Sequence, residues 1–302
     1  MDKNQKTNYI IEAQPTFGSA TYALNGNAKK PTVGFIILTW NSEKVIGECL
    51  QSIFELSVLT PLVVVIDNGS MDETRGIIDS YYYQYPEQMS IISFAENVGT
   101  TVSRNAGIRY LMSFSPDYYC ILDSDTRIND DAFSDLINVM DTNSDYGILG
   151  PTMITSSGVI QMSARSFPTM LEKFCKAVPV KRIQAIGERM EVQPPPQAEA
   201  DSYPVDYLMS ACWLIKPEVL TAAGLLDEKI FYAPEDAEYC IRVWKAGYKV
   251  AFCPKARIIH EWQRLSKKKL ISKINLEHIK GLVYMFQKHH YFFSADKLRK
   301  TF

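Results

Sequence analysis

Short apolar runs alternate with amphipathic segments along the chain from Pro31 onward. The runs have the length of buried strands, whereas the segments between them repeat apolar residues at helical spacing. This alternation predicts an α/β fold in which helices flank a mostly parallel, Rossmann-like sheet. The predicted strands are Gly34–Thr39, Leu62–Ile66, Ile91–Phe94, Tyr118–Leu122, Lys249–Phe252 and Arg257–His260.

Polar residues that follow these strands predict where helices begin. Ser42 can cap a helix after the first strand. Ser70 and Glu73 match the S-x-x-E capping box, so we expect the next helix to begin at Ser70. A further helix follows the turn at Asn97, and another opens at Pro234 and ends near residue 247.

The same pattern divides the chain into three parts. Residues 1–30 are polar and are predicted to form an N-terminal tail or extension. Residues 31–265 carry the alternating strands and helices and are predicted to form one domain. Within this domain the periodicity fails over residues 158–203, which include three consecutive prolines and predict an irregular insertion or mobile loop. Residues 266–302 predict a C-terminal amphipathic helical segment.

Bulk composition excludes several classes of protein. The 302 residues are 46% hydrophobic and carry a formal net charge of -2, which is typical of a folded globular protein and argues against a nucleic-acid binder. The six cysteines are scattered without a C-x-x-C pair and indicate core thiols in a reducing compartment. The sequence shows neither a signal peptide nor an apolar stretch long enough to span a membrane. We therefore expect a cytoplasmic protein that at most rests on the inner face of the cell membrane.

Two aspartates, Asp123 and Asp125, directly follow the apolar run Tyr118–Leu122. Side chains alternate along a strand, so carboxylates two residues apart at its end point to the same side. Paired carboxylates supply oxygen ligands for a hard divalent cation, which keeps open positions for substrate phosphates. Acid-x-acid runs also begin many ordinary turns, so the interpretation depends on the surrounding residues.

Other polar residues stand at the ends of the predicted strands, where they can meet the two aspartates. They are Thr39, Asn41, Asp67, Asn97 and Gly99. Each has an ordinary explanation, because Asn, Asp and Gly end strands for backbone reasons alone. Together they predict a nucleotide pocket at the carboxyl edge of the sheet, in which Asp67 accepts a hydrogen bond from a base and the Gly99 turn lets backbone approach the ligand.

Five motifs in order carry a resemblance to a known family. They are Thr39-Trp40-Asn41, Val65 to Ser70, Asn97-Val98-Gly99 with Arg104 to Gly107, Leu122 to Asp125, and Glu235-Asp236 through Arg242 to Tyr248. The series resembles the family 2 glycosyltransferases over roughly residues 31–262. The resemblance implies that residues 31–265 form a catalytic domain of GT-A fold, with the irregular insertion at 158–203 on its acceptor side. The stretch Ala233 to Asp236, together with Ile259-His260 and Lys288 to Tyr291, is further similar to bacterial rhamnosyltransferases, although Arg104-Asn105 is closer to the general family pattern.

The resemblance implies an inverting transfer from a nucleoside-diphosphate sugar, with dTDP-rhamnose as one candidate, to a saccharide or lipid-linked saccharide in cell-surface polysaccharide synthesis. Asp236 takes the family's position for the base, and Glu235 is expected to orient it or to contact the acceptor. Asp125 and Asp123, with His260 as a candidate third ligand, would hold Mn²⁺ or Mg²⁺ beside the diphosphate. The implied nucleotide-binding residues are Thr39, Asn41, Asp67, Asn97, Gly99, Arg104, Asp123 and Ser124.

The segment after Ser266 predicts an amphipathic helix with two interpretations. It is either docked on the catalytic domain with a solvated lysine face, or it lies at a membrane surface over residues 266–290 and brings the enzyme to a lipid-linked acceptor. Lys269, Lys273 and Lys280 fall on one side of a helical wheel. The apolar residues on the other side are Ile271, Ile274, Ile279, Leu282, Met285 and Phe286.

Two other functions fit part of the pattern. A sugar-nucleotide pyrophosphorylase shares an α/β nucleotide-binding architecture, but it needs a basic glycine-rich loop where this chain has Thr39-Trp40-Asn41-Ser42. A catalytically inactive nucleotide-sugar-binding protein is disfavoured by the intact carboxylates at positions 123, 125, 235 and 236. The sequence does not specify the donor sugar, the acceptor or the oligomeric state.

Overall fold

The computed structural model describes residues 9–13, 30–193, 200–261 and 273–302. Strands and helices alternate through most of this range, as the apolar pattern predicts. The strands are β1 (Ile10–Ala13), β2 (Thr32–Thr39), β3 (Thr60–Asp67), β4 (Met89–Ser93), β5 (Tyr118–Asp123), β6 (Thr126–Arg127), β7 (Tyr146–Ile154), β8 (Ile160–Gln161), β9 (Ala164–Arg165), β10 (Tyr203–Pro204), β11 (Tyr207–Leu208), β12 (Cys212–Ile215) and β13 (Lys249–His260). The helices are α1 (Ile46–Phe54), α2 (Thr74–Gln84), α3 (Thr100–Met112), α4 (Asp130–Thr142), α5 (Met170–Ala177), α6 (Lys181–Glu191), α7 (Pro217–Ala222), α8 (Glu235–Lys245), α9 (Lys273–His289) and α10 (Asp296–Arg299).

One sheet of eleven strands runs through the described part of the chain. Its order is β1-β4-β3-β2-β5-β12-β7-β13-β10, with β6 paired to β13 and β8 paired to β7. Strands β4, β3, β2 and β5 are parallel, whereas β12 runs antiparallel between β5 and β7. The sheet is therefore mixed, and its parallel half is the part that the alternating sequence pattern predicts.

Helices cover both faces of this sheet, and successive residues of a strand enter two different cores. Phe35 and Ile37 of β2 pack in one core with Leu50 of α1 and Phe133 of α4. Ile36 enters the other core, to which α3, α8 and α9 contribute. Burial on both faces explains why the strands are continuous apolar runs in the sequence. All six cysteines are free and buried, which confirms the prediction of core thiols.

The register of the parallel strands brings their carboxyl ends to one edge of the sheet. Thr39 at the end of β2 pairs with Asp67 at the end of β3, and β5 ends beside them at Asp123. Strand β13 reaches the same edge at His260, where it pairs with β6. Polar residues that are far apart in the sequence are thereby gathered at the edge where open α/β sheets bind ligands.

The helix after β3 begins later than the capping box predicts, so that prediction is wrong. Helix α2 starts at Thr74, and the Ser70 hydroxyl instead accepts a hydrogen bond from the Asn41 backbone N–H at 2.9 Å. The Asp72 carboxylate accepts from the Thr74 backbone N–H at 3.1 Å. A local side-chain-to-backbone turn at Asp72 therefore replaces the S-x-x-E cap.

The prediction that residues 158–203 are irregular is also wrong for the part of them that the structure describes. This range contains the short strands β8 and β9 and the helices α5 and α6. The two helices pack closely, since a Cβ on Gly187 of α6 would lie 3.1 Å from the Cβ of Cys175 in α5. Their apolar pattern is obscured because several apolar side chains point outward, including Phe174 at 65% exposure. The prolines at 194–196 lie outside the described residues.

The last two predicted strands form one strand, β13. Its register against β7 shifts between Cys253 and Arg257. Pro254 lies in this interval and has no N–H to donate to a ladder, so the irregularity separates two apolar runs. That interruption is why the sequence pattern predicts two strands.

Helix α9 packs against the α/β domain. Met285 and Phe286 are buried in the core that also holds Tyr239 and Ile241 of α8. Ile279, which the helical wheel puts on the apolar side, is 58% exposed, so the predicted division of the helix is wrong at this position. Within the described residues, no helix is both long enough and apolar enough to cross a lipid bilayer. Lys269 and Ile271, and the side chains of Lys273 and Ile274, lie outside what the structure describes.

Candidate active site

Asp123, Asp125 and His260 form a compact group at the carboxyl edge of the sheet. One potential ligand atom from each lies within 4.8 Å of the other two, and His260 Nε2 is 3.3 Å from Asp125 Oδ1. The aspartates end β5 and begin the turn to β6, whereas His260 ends β13, so the sheet itself assembles the group. Carboxylate and imidazole donors at these separations fit a divalent cation such as Mn²⁺.

Gln161 of β8 orients the imidazole of His260. Its amide nitrogen donates to the His260 carbonyl oxygen at 2.9 Å, and its oxygen lies 2.8 Å from Nδ1 and accepts from it. A neutral ring with its proton on Nδ1 presents the lone pair of Nε2 toward Asp125. Burial lowers the pKa of His260, but the hydrogen bond to Asp125 and the charges of both aspartates outweigh burial and raise that pKa. A cation and a proton therefore compete for Nε2.

A buried arginine links this group to a second set of carboxylates. Arg104 of α3 is 3% exposed, and its Nη2 donates to Asp123 Oδ1 at 2.7 Å. Its Nη1 lies 3.2 Å from Glu235 Oε1 and donates to Ser210 Oγ at 2.8 Å. Ser210 Oγ in turn donates to the same Glu235 oxygen at 3.0 Å. One guanidinium thus connects the end of β5 with the first turn of α8.

Burial and neighbouring charges perturb the carboxyl groups around Arg104. Burial and the charge of Asp236 raise the pKa of Glu235 to about 8, although Arg104 and Ser210 oppose the change. Burial raises the pKa of Asp236, and for Asp123 burial outweighs Arg104 so that its pKa is also raised. Several perturbed acids in one group are typical of a functional site.

Asp236 and Glu235 are adjacent in sequence but have different surroundings. The Asp236 carboxylate accepts from the Ala237 backbone N–H at 2.7 Å, and the residue keeps partial access to solvent. The charges of Lys173 in α5 and Arg165 in β9 act on it, so the α5 region faces this carboxylate. Glu235 is buried and its carboxyl group is turned into the protein.

Residues predicted to bind nucleotide lie at this edge, where Thr39 and Asn97 have their polar groups engaged inside the protein. Thr39 is buried, and its hydroxyl donates to the Ile66 carbonyl oxygen at 3.3 Å. Asn97 Oδ1 accepts from the Gly99 backbone N–H at 3.0 Å and from the Asn68 side chain at 3.1 Å. These hydrogen bonds fix the loops at the carboxyl edge.

Asn41, Asp67 and Ser124 hold neighbouring loops together. Asn41 has a φ of 52°, and its Oδ1 accepts a hydrogen bond from the Met71 backbone N–H, in the loop after β3, at 2.9 Å. Asp67 Oδ1 accepts from the Ser70 backbone N–H at 3.1 Å. Ser124 Oγ lies 3.1 Å from Ser42 Oγ, so the loops after β2 and β5 also meet. The carboxyl edge is therefore preorganised by side-chain hydrogen bonds.

The close approach that the Gly99 turn allows is to another part of the protein. Gly99 has a φ of 91°, and a Cβ there would lie 2.5 Å from the carbonyl oxygen of Phe231. The Thr100 backbone N–H donates to the same carbonyl at 2.7 Å. Only glycine fits this position. The contact joins the start of α3 to the loop that precedes Glu235.

Sequence reasoning missed three residues of this site, Ser210, Gln161 and Tyr232. Ser210 and Gln161 lie in short segments without a clear pattern, and only their hydrogen-bond partners identify them. Burial and the charges of three nearby carboxylates raise the pKa of the Tyr232 phenol to about 12. The place of Tyr232 directly before the Ala-Pro-Glu-Asp motif is the one signal that the sequence offers.

Comparison with known proteins identifies the family. The model of glycosyl transferase family 2 matches residues 35–220, which is more than half of the chain and includes the strands that carry Thr39, Asp67 and Asp123. The chain belongs to glycosyltransferase family 2. This confirms the family resemblance seen in the sequence motifs.

Curated relatives of this family 2 glycosyltransferase include two rhamnosyltransferases. The N-acetylglucosaminyl-diphospho-decaprenol L-rhamnosyltransferase of Mycobacterium tuberculosis is 22% identical over 239 residues, which cover 75% of each chain. The dTDP-rhamnosyl transferase RfbF of Shigella flexneri is 24% identical over 226 residues, which cover 74% of this chain and 67% of the relative. The family 2 enzyme thus spans two thirds to three quarters of these relatives.

A solved structure shows the same fold. The crystal structure of GalNAc-T7 with UDP, GalNAc and Mn²⁺ superposes with a TM-score of 0.67 at 14% sequence identity. The likeness covers 91% of this glycosyltransferase and 54% of GalNAc-T7, so this chain spans about half of that protein. The fold is GT-A, as expected from the family resemblance.

Proposed function

We propose that this glycosyltransferase moves a sugar, with inversion at the anomeric carbon, from a nucleoside-diphosphate sugar to a saccharide or lipid-linked saccharide in cell-surface polysaccharide synthesis. One observation carries the proposal. Arg104 joins Asp123, which belongs to the group of potential metal ligands Asp123, Asp125 and His260, to Glu235, which is next to Asp236. A cluster for a diphosphate-bound cation and a separate carboxylate base are the two parts that single displacement requires.

Asp125, Asp123 and His260 would hold the divalent cation, Mn²⁺ or Mg²⁺. Their oxygen and imidazole donors lie within 4.8 Å of one another, and Gln161 keeps Nε2 of the imidazole directed at the group. A cation there supplies positive charge to the departing nucleoside diphosphate. Arg104 adds a fixed positive charge next to Asp123, which keeps the carboxylates from repelling the approaching phosphates.

Asp236 would remove the proton from the acceptor hydroxyl as that oxygen attacks the anomeric carbon. Burial raises the pKa of this carboxyl, which brings it closer to neutral pH and makes it a better proton acceptor than an exposed aspartate. The Ala237 N–H fixes one carboxylate oxygen and leaves the other for the acceptor. Glu235 would act through Arg104 and Ser210 as a positioning residue, because its carboxyl group is turned away from solvent.

The nucleotide would lie along the loops after β2, β3 and β5. In this proposal Asp67 accepts from the base, and Asn41, Arg104, Asp123 and Ser124 contact or orient the ribose and diphosphate. Thr39, Asn97 and Gly99 shape the loops through hydrogen bonds within the protein.

The relatives' names favour dTDP-rhamnose as donor and a diphospho-lipid saccharide as acceptor. The catalytic unit would comprise residues 31–265, with residues 266–302 as a C-terminal extension and residues 1–30 as a tail.

Contact with the inner face of the membrane is the second part of the proposal. Leu276, Ile279 and Val283 lie on one side of α9 and are 55%, 58% and 48% exposed. Lys280 lies beside these residues with its side chain 61% exposed, and it pairs with Glu277 at 2.7 Å. An exposed pair of this kind is weak, so the ammonium can exchange it for anionic lipid. An exposed apolar stripe next to a basic residue suits an interfacial helix. We expect co-sedimentation with anionic vesicles that weakens when Ile279 and Val283 become serine.

The control for this membrane test is Tyr83→Ser, which removes a still more exposed aromatic side chain, 80% accessible, from helix α2. This variant should bind vesicles like the wild type. If the wild type does not bind anionic vesicles even at low salt, the proposal of membrane contact is wrong. The proposal for the transfer reaction does not depend on that result.

A thermal-shift screen of nucleotides and nucleotide sugars, with and without Mn²⁺, tests the proposed donor class. A ligand that binds only the native state raises the melting temperature by mass action. We expect stabilisation by a nucleoside-diphosphate sugar that increases with Mn²⁺, followed by transfer to an acceptor. Binding without turnover would indicate an inactive binding protein, and release of pyrophosphate from a sugar phosphate and a nucleoside triphosphate would indicate a pyrophosphorylase.

A further inference from the structure

The C-terminal helix α9 touches the loop that carries the proposed base without any side chain between them. A Cβ on Gly281 would lie 2.3 Å from the carbonyl oxygen of Ala233 and 3.0 Å from Cδ of Pro234. Real Cβ atoms essentially never come within 3.0 Å of such atoms, so only glycine allows the two backbones to lie this close. Ala233 and Pro234 lead directly into Glu235 and Asp236.

A buried ion cluster joins α9 to α8 beyond the contact at Gly281. Glu238 of α8 is fully buried, and its carboxylate accepts from Lys288 at 2.7 Å and from His289 Nε2 at 3.1 Å. Arg242 of α8 adds a hydrogen bond at 3.0 Å. Lys288 also lies 2.5 Å from Asp227, which connects the cluster to the loop before α8. Glu238 is two residues after Asp236, whereas Ala233 and Pro234 precede it. The contact at Gly281 and the Glu238 cluster therefore lie on either side of the proposed base.

Apolar packing and charge favour a single position of α9. Met285 and Phe286 fill the core beside α8, so the helix cannot shift along its axis without opening cavities. Burial alone would raise the pKa of Glu238, but the hydrogen bonds from His289, Arg242 and Lys288 and the charge of Arg242 lower it to about 2. The carboxylate therefore remains charged and bonded at every pH at which the protein would work.

We propose that α9 is a positioning element for the transfer step, in which Gly281 and the Glu238 cluster set the place of Asp236 relative to Asp123 and Asp125. This inference rests on the proposed function. The helix touches none of the reacting atoms, and its effect reaches the reaction through the loop at Ala233. A displacement of about 1 Å at a catalytic group can lower a rate by about 100-fold.

The test compares Gly281→Ala with Gly47→Ala. Both glycines lie in helices, and a Cβ on Gly47 would meet only Ile77 Cγ2 at 3.7 Å, an ordinary contact. We expect Gly281→Ala to lower kcat by about 10- to 100-fold. Its KM for the donor and its affinity for nucleoside diphosphate with Mn²⁺ should stay within about twofold of the wild type. Gly47→Ala should change neither quantity.

A second pair of variants covers the case in which Gly281→Ala does not fold, as judged by circular dichroism. Lys288→Gln loosens the Glu238 cluster, whereas Lys255→Gln removes a lysine that is 61% exposed and pairs with Asp201 at the surface. Lys288→Gln should show the same selective loss of kcat, with partial recovery in Lys288→Arg.

Three outcomes have distinct meanings. Folded Gly281→Ala with the kcat of Gly47→Ala would overturn the inference and leave the proposed function intact. Loss of nucleotide affinity in parallel with kcat would also overturn it, because α9 would then support the whole site. Absence of transfer by the wild-type protein would overturn the proposed function and this inference with it.

Discussion

Replacement of Arg104 by methionine removes a buried positive charge from between two carboxylates. Arg104 is 3% exposed and contacts Asp123 at 2.7 Å and Glu235 at 3.2 Å. Removing one partner of a buried ion pair costs about 3–5 kcal/mol, because the other charge is left uncompensated. Both partners limit this cost. The Asp123 side chain is 37% exposed and stays hydrated, and the pKa of Glu235 is already raised to about 8, so Glu235 can take up a proton while it keeps the Ser210 hydrogen bond. We therefore expect the lower end of the range, about 3 kcal/mol, which corresponds to a fall in Tm of about 6 °C.

Arg109→Met is the matched control for this prediction. Arg109 lies on the same helix and pairs with Glu228 at 2.7 Å, but its side chain is 50% exposed. An exposed pair contributes about 0–1 kcal/mol, so the control loses the same charge at little cost. Urea denaturation of both variants at pH 7 measures the difference. Equal stabilities for the two variants would refute the claim that Arg104 joins the two carboxylate groups energetically. The double variant Arg104→Met/Glu235→Gln should be about as stable as Arg104→Met, because without Arg104 the Glu235 carboxyl is already protonated at pH 7.

Three further predictions concern the potential metal ligand Asp125, the Glu238 cluster that holds α9, and the stereochemistry of the transfer. Asp125→Ala should abolish the Mn²⁺-dependent part of nucleoside diphosphate binding in a calorimetric titration, and wild-type affinity would remove Asp125 from the site. Glu238→Gln should be less stable than the wild type at pH 7 by up to about 3 kcal/mol, because the pKa of Glu238 is lowered from 4.5 to about 2. This difference is present above about pH 4.5 and should disappear as the pH falls through about 2, and a pH-independent difference in urea titrations would contradict it. NMR of the sugar product should show inversion at the anomeric carbon, and retention would rule out single displacement.

The sequence was informative wherever a buried parallel strand ended in a polar residue. The run before Asp123 and the run before Asp67 each predict a strand and its end correctly. Strands buried on both faces are strongly apolar, and the loops at their carboxyl ends are short, so the polar residues that meet there can be named from the sequence. The family motifs follow the same strand ends.

The region of helices α5 and α6 was much harder to predict. Helix α5 exposes Met170, Leu171 and Phe174 and buries Glu172, so it lacks the polar outer face that identifies a surface helix. The contacts of Gln161 and Ser210 join segments about 100 residues apart in the chain, and no local pattern reports such contacts. The inward orientation of Glu235 also depends on Arg104, which lies on another helix. Pairings of this kind become visible only when the sheet order is known.

The rate of sugar transfer by Asp236→Asn tests the central claim most directly. The substitution keeps the size of the side chain and the hydrogen bond from the Ala237 N–H, but it removes the group that would accept the proton of the acceptor hydroxyl. With the donor that stabilises the wild-type protein, we predict a fall in kcat on the order of 10² to 10⁴ while the affinity for nucleoside diphosphate with Mn²⁺ changes little. A wild-type rate, or a loss of nucleotide affinity as large as the loss of rate, would contradict the assignment of Asp236 as the base.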